Sequence, residues 1–225
     1  MTGKTRPAGT ARADIREMVI VHRVFRREFA SLPSAVRGVS AGDQKRAKTV
    51  AGHARLVLTG LHLHHQIEDA ELWPLVDARV STSADLTARM EAQHGELASL
   101  VADAEQLLPI WETSAGNPEP LARVLEALHA SLLAHLAAEE TEILPLVAEH
   151  ITAAEWARLG EHARREMRPA QLPLLFGAAL EECDATERAV LLASLPLPLR
   201  LLVRPVIEPI YRRYIAKVRG DARRR

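Results

Sequence analysis

The chain is predicted to be all-α: an up-down-up-down four-helix bundle followed by a C-terminal helical extension. Three observations predict it. Apolar residues recur at helical spacing and nowhere alternate as a strand requires. The composition is 48% hydrophobic with only 4% aromatics, an Ala/Leu/Val balance that suits packed helices. Finally, four long periodic segments are separated by short breakers, and two of them carry nearly the same phrase, HHQIEDAELWPLV at 64–76 and HLAAEETEILPLV at 135–147.

Residues 1–11 are polar and are expected to form a disordered N-terminus. A first helix is predicted from Arg12 to Val39, its stripe being Ile15, Met18, Val19, His22, Phe25, Phe29 and Leu32, with Pro33 bending its end. Ser40-Ala41-Gly42 makes the turn. The second helix, 43–79, aligns Val57, Leu61, His64, Glu68, Leu72 and Leu75. Ser81-Thr82-Ser83 offers an N-cap to a third helix, 84–112, with Leu86, Met90, His94, Leu97, Val101 and Leu108 inward. Asn117 before Pro118 opens the fourth, which runs to Glu149 with Leu128, Leu132, His135, Glu139, Ile143 and Leu146 on one face. Short connections make successive helices antiparallel neighbours.

The bundle is thus placed at 12–149 and the extension at 150–225. In the extension, Thr152 and Glu155 have capping-box spacing, and apolar helices follow near 170–182, 185–194 and 198–217 between prolines. A chain of 225 residues suits one good core with such an appendage.

Net charge is zero, but it is unevenly spread. Residues 1–55 hold 12 basic against 4 acidic side chains, and 200–225 hold 9 against 2. The remaining 8 of 29 basic and 23 of 29 acidic residues fall between, an acidic middle suited to gathering cations. The basic ends read as solvated helix faces, so no nucleic-acid partner is expected. Cys183 is the sole cysteine, which excludes an internal disulfide and a thiolate zinc site. The N-terminus lacks an apolar signal segment, and 189–210, the most apolar stretch, is broken by four prolines and by Arg200, Arg204 and Glu208. A cytoplasmic protein without a transmembrane segment is expected. The apolar extension is free to pack on the bundle, on lipid, or on a second copy as a homodimer.

The repeat carries the chemistry. His64 aligns with His135 and Glu68 with Glu139 at an offset of 71, and His22 aligns with His94 at 72. Residues four apart share a helix face, so each HxxxE aims an imidazole and a carboxylate at one place. A lone histidine on an apolar stripe is usually a satisfied core residue. Four of them in matched register, two followed by a buried-side glutamate, point instead to a two-metal site, because unpartnered buried carboxylates cost several kcal/mol. Imidazole and carboxylate without thiolate favour iron or manganese, and zinc is open to the same donors. Six protein ligands leave positions for water or a small molecule, which suits chemistry or gas binding. Of the other histidines, His65 is expected on the surface or donating to Asp69, His62 faces away, and His53 lies about 16 Å along the helix from His64. Glu71 and Glu142 are candidate partners of the ligand imidazoles.

On these residues the chain resembles the hemerythrin-like (HHE cation-binding) family, in particular its actinobacterial H-HxxxE-H-HxxxE type, over about 12–148. His22, His64, Glu68, His94, His135 and Glu139 match that pattern position by position. The resemblance implies a non-haem di-iron centre, oxo- or hydroxo-bridged, with histidine terminal ligands and carboxylate bridges; manganese or zinc is the less expected metal. One departure stands out. Oxygen-carrying members have a further third-helix histidine one turn from the first, where this chain has Met90 and Ala98. The expected function is therefore reaction with small oxidants, as hydrogen peroxide disproportionation or nitric oxide and dioxygen chemistry. The alternative is a non-catalytic protein that binds or senses oxygen, nitric oxide or iron.

Overall fold

The structure, a computed structural model, describes residues 11–193 and 195–220. Among them eight helices form and no β-strand does. Helix α1 spans Arg16–Arg37. Helix α2 runs Gln44–Ile67, widens into a π turn at Glu68–Leu72 and resumes as Trp73–Asp77. Helix α3 is Ala84–Ser114. Helix α4 runs Glu119–Ala138, π turn Glu139–Ile143, then Leu144–His150. Neighbours in space are α1 with α2, α2 with α3, α3 with α4, and α4 with α1, the closed up-down-up-down ring. The extension comprises α5 (Ala153–Glu166), α6 (Leu172–Glu182), α7 (Ala185–Ala193) and α8, which runs Leu197–Leu202, a π turn Val203–Ile207 and Glu208–Arg219.

Start and stop residues explain most boundaries. Asp43 accepts from the Arg46 N–H at the start of α2, and Asn117 accepts from the Glu119 N–H at the start of α4. Thr152 and Glu155 form the reciprocal capping box that opens α5. Helix α3 ends where Ala115 turns left-handed at φ 42°, and the Ala115 carbonyl then accepts from the Gly42 N–H.

Three expectations are corrected. Helix α1 begins at Arg16 rather than Arg12. Residues 11–13 instead lie extended beside the start of α5: the Ala13 N–H donates to Ile151 O and the Ala153 N–H to Ala11 O. Ala11 is therefore ordered; residues 1–10, also expected to be disordered, lie outside the described residues. Ser83 does not cap α3 with its side chain, because its hydroxyl donates to Asp77 and to Val80 O.

Each π turn stands two residues before a proline: Leu72 before Pro74, Ile143 before Pro145, and Ile207 before Pro209. Proline has no N–H for the i−4 carbonyl and its ring crowds that carbonyl. The preceding residue then reaches one carbonyl further back, Trp73 N–H to Glu68 O and Leu144 N–H to Glu139 O. The repeated phrase thus encodes a repeated backbone distortion, at the two glutamates of the candidate site.

Two apolar clusters fill the bundle with the candidate site between them. One joins Phe25, Leu61, Leu97, Leu132 and Leu136, and the other Leu72, Trp73, Met90, Ile143 and Val147. A buried leucine or phenylalanine contributes about 1.5–3 kcal/mol, so the polar layer is clamped from both ends. By length and hydropathy α4 would suffice to cross a membrane. Here its leucines 121, 125, 128, 132 and 136 are buried in the bundle, as a core helix requires.

The extension packs on the outer side of α1 and α2, away from the α2–α3 side where the candidate site opens. Its docking is partly polar. The buried Glu28 carboxylate of α1 meets His53 Nε2 of α2 at 3.0 Å, and His53 Nδ1 pairs with the Tyr214 hydroxyl of α8 at 2.9 Å. Arg46 caps the end of α8 on the Lys217 and Val218 carbonyls. Leu197, Leu199, Leu201 and Leu202 remain exposed.

Helices α6 and α8 touch at Gly177, where an added Cβ would lie 2.4 Å from Tyr211 Cβ. Gly177→Ala is expected to destabilise the protein by about 1–3 kcal/mol, read as a lower urea midpoint; an unchanged midpoint would show that the contact yields freely. Glu181, bonded to Arg219 and Tyr211, is held at about 2, below the ordinary carboxylate value. A depressed carboxylate stabilises the fold above its unfolded pKa and loses that contribution as pH falls toward the folded one. Acidification from about pH 4.5 to about pH 2 should therefore loosen α8, and Glu181→Gln should remove that part of the pH dependence in tyrosine fluorescence.

Candidate metal centre

All six residues singled out by the repeat converge in the layer between the apolar clusters. His22 comes from α1, His64 and Glu68 from α2, His94 from α3, and His135 and Glu139 from α4. His22 Nε2 lies 3.3 Å from Glu139 Oε2, and His64 Nε2 lies 3.2 Å from Glu68 Oε1. His94 Nε2 and His135 Nε2 face each other at 3.2 Å. The other Glu68 oxygen is 3.7 Å from His94 Nε2, and Glu139 Oε2 is 3.7 Å from His135 Nε2. Donors about 2.1 Å from one ion sit about 3 Å apart at right angles and about 4.2 Å apart across it, so this spacing fits shared cations.

Two groups of donors emerge, each within 4.8 Å: His22, His64, Glu68 and Glu139; and His65, Glu68, His94 and His135. Glu68 is common to both, as a bridging carboxylate requires. The pairing follows the repeat, with His22 and His64 from the first half and His94 and His135 from the second.

The polar satisfaction of these atoms is the test of fit. Buried N and O atoms without a hydrogen-bond partner include His22 Nε2, His64 Nε2, His65 Nε2 and all four carboxylate oxygens of Glu68 and Glu139. Native interiors rarely leave such groups alone. Lone pairs of imidazole and carboxylate converging without donors are what a cation would satisfy.

Electrostatics agree. On these side chains alone, burial and the neighbouring Glu139 push the Glu68 carboxyl well above the usual carboxylate range. Burial also opposes Glu139, but His22, 3.3 Å away, outweighs it and holds that carboxyl below the usual carboxylate range. Burial lowers His64 well below its ordinary value and His135 to about 4, leaving neutral imidazoles able to donate lone pairs. His22 also meets the burial penalty, yet Glu139 and Glu140 reverse it and raise the imidazole.

Outside this layer the repeat continues. His94 Nδ1 donates to Asp69 at 2.7 Å, and His22 Nδ1 to Glu140 at 2.9 Å. Asp69 and Glu140 stand at the same offset of 71, each next to a glutamate of the site. His135 Nδ1 donates to Gln93 at 3.0 Å, and Gln93 adjoins His94. Trp73 Nε1 donates to Asp69, and its ring stacks on His94 at 5.9 Å. Arg26 donates to Glu140 at 2.7 Å. Such contacts fix ring orientation and leave Nε2 turned toward the centre.

Several expectations fail here. Glu71 and Glu142 do not support the imidazoles: Glu71 pairs with His162 and Glu142 with Arg89. Helix geometry turns them outward, while their neighbours on the inner flank do the work. His65 is buried rather than on the surface, and Asp69 bonds His94 instead of it. His62 lines, with His65, Asp69, Glu91, His94 and Ala98, a cavity of about 520 Å³ between α2 and α3. His94 and His65 join that cavity to the centre, and no described residue of the extension lines it. From sequence Asp69 was named only as a partner of His65 and Glu140 was not named, although their adjacency to the glutamates of the repeat was the available signal.

The profile of the hemerythrin HHE cation binding domain matches residues 13–147. The chain belongs to that family. No curated protein and no solved structure matches it. The matched hemerythrin span takes in all six residues and Asp69, Gln93 and Glu140, and it stops before α5. The chain therefore carries a hemerythrin-family cation-binding bundle with a His/Glu cluster at its centre.

Asp69→Asn and Glu140→Gln are each expected to weaken cation affinity about 10–100-fold with little change in the helical circular dichroism. Competition for ferrous ion against a coloured chelator measures this; affinities equal to the wild type would show that the Nδ1 contacts are dispensable.

Proposed function

We propose that this protein is a di-iron oxidoreductase in which His22, His64, Glu68, His94, His135 and Glu139 hold two ions and whose substrate is hydrogen peroxide. The observation that carries the reading is the set of convergent, unpartnered buried donors with Glu68 common to both halves. Nitrogen and oxygen donors without thiolate suit iron, with manganese and zinc the weaker fits. Iron held there would supply the one-electron changes of oxidation state that peroxide chemistry draws on. The net reaction, two hydrogen peroxide to two water and one dioxygen, balances without a further reductant.

The side chains set the conditions for it. Apolar layers above and below keep bulk water from the carboxylates. The cavity between α2 and α3 brings a small molecule to His94, where Gly95 and Ala98 leave room beside the imidazole. Ala98, one turn beyond His94, offers no donor, so exchange at this end stays open. Asp69 on the cavity wall, half exposed and bonded to His94, is placed to take or return a proton at its free oxygen. Nitric oxide and dioxygen pass the same opening and are the runner-up substrates.

The test loads purified protein with ferrous ion, measures iron by elemental analysis, and follows peroxide loss with dioxygen release. Two iron atoms per chain and turnover abolished in Glu68→Ala and Glu139→Ala are expected, with the loaded variants melting lower than the loaded parent because metal binding adds to folding free energy. Absence of bound transition metal after loading ends the proposal. Reversible dioxygen binding without peroxide consumption would replace it by the carrier or sensor reading.

A further inference from the structure

We infer that His65 is a fifth imidazole ligand, contributed to the His94/His135 ion from the helix that also supplies His64, and that it makes the two metal positions unequal. The inference rests on the di-metal reading above and goes beyond its six residues.

Four observations carry it. His65 is buried, and its Nε2 has no hydrogen-bond partner, the same condition shared by His22, Glu68 and Glu139. Its donor atom lies within 4.8 Å of those of Glu68, His94 and His135. Its ring lies against theirs: its centroid is 4.0 Å from that of His94 and 5.0 Å from that of His135. Last, it is where the repeat breaks. At the offset of 71 that relates Glu68 to Glu139 and Asp69 to Glu140, His65 corresponds to Leu136, a fully buried core side chain. An apolar residue serves that position in one half. An imidazole there in the other leaves a buried nitrogen needing a partner, an unfavourable state unless something accepts its lone pair.

The ring geometry makes this ligand unlike the others. His65 and His94 stack nearly parallel, at 13°. Two parallel rings at that spacing cannot both contain one ion in their planes, so ligation turns an imidazole out of the stack. His65 is the one free to turn, since His94 is held by Asp69 and faced by Trp73. The α2–α3 cavity, on whose wall His65 lies, provides the space. The His94/His135 position thus gains a third nitrogen that an incoming small molecule can displace, whereas the His22/His64 position has two. The pair Met90 and Ala98 on α3 leaves the place that His65 fills from α2.

The experiment titrates ferrous ion anaerobically into metal-free wild type, His65→Ala and His65→Leu, with thermal melts of the metal-free proteins alongside. The wild type should take two ions. Both variants should keep the metal-free melt and the first ion but bind the second at least about tenfold more weakly. Millimolar free imidazole, admitted through the cavity, should restore the second ion in His65→Ala but not in His65→Leu, whose side chain fills the space. Variants that hold both ions as tightly as the wild type overturn the inference, as do variants that lose both ions together with the metal-free melt. A wild type that binds no ferrous ion overturns the di-metal reading itself, a result separable from these.

Discussion

Two buried carboxylates set the terms for the whole molecule. Glu68 and Glu139 lie at 2% and 0% exposure with no hydrogen-bond donor on any of their four oxygens. Uncompensated, such groups cost several kcal/mol each, a large part of the 5–15 kcal/mol by which domains are stable. Everything nearby answers that constraint. The His22 imidazole is raised by Glu139 and Glu140 against its burial, apolar layers exclude the water that would relieve the carboxylates, and the family to which the chain belongs is a cation-binding one. Folding and cation binding are therefore coupled: the site is costly alone and favourable with its ion.

The backbone contributes as directly as the side chains. The π turns begin at Glu68 and Glu139 themselves and end two residues before Pro74 and Pro145. An extra residue in one turn rotates all that follows by about 100° relative to a regular helix. Leu72, Trp73 and Val76 thereby join Ile143, Leu144 and Val147 as buried residues beneath the site. A proline that would ordinarily break a core helix serves here to re-aim it.

The symmetry of the centre is approximate, and its exceptions sit on one side. The ligand candidates, the Nδ1 partners Asp69 and Glu140, and the π turns at the two glutamates repeat at nearly one offset. His65 opposite Leu136, Trp73 opposite Leu144, and the cavity between α2 and α3 do not. The half that departs from the repeat is the half that is open to small molecules. The extension, by contrast, bears on α1 and α2 from the other side and ties itself down through Glu28, His53 and Tyr214.

The bundle, its helix order and the six residues of the repeat were legible in the sequence because they depend on period and spacing. His64 and Glu68 share a face whatever surrounds them, and Asn117, Thr152 and the prolines act on their own turns. Lateral relations were not legible. Whether His65 points to solvent or inward depends on how α3 lies against α2, a contact between residues 25 or more apart. The partners of His22 and His94 likewise come from other helices, so Glu71 and Glu142 looked equal to Asp69 and Glu140 along a single helix. The strap at 11–13 reads as a helix start until Ile151 and Ala153 are beside it to take its hydrogen bonds. Local periodicity determined the elements and the ligand-type residues; helix rotation, set by packing across the ring, decided which neighbours of those residues face the centre.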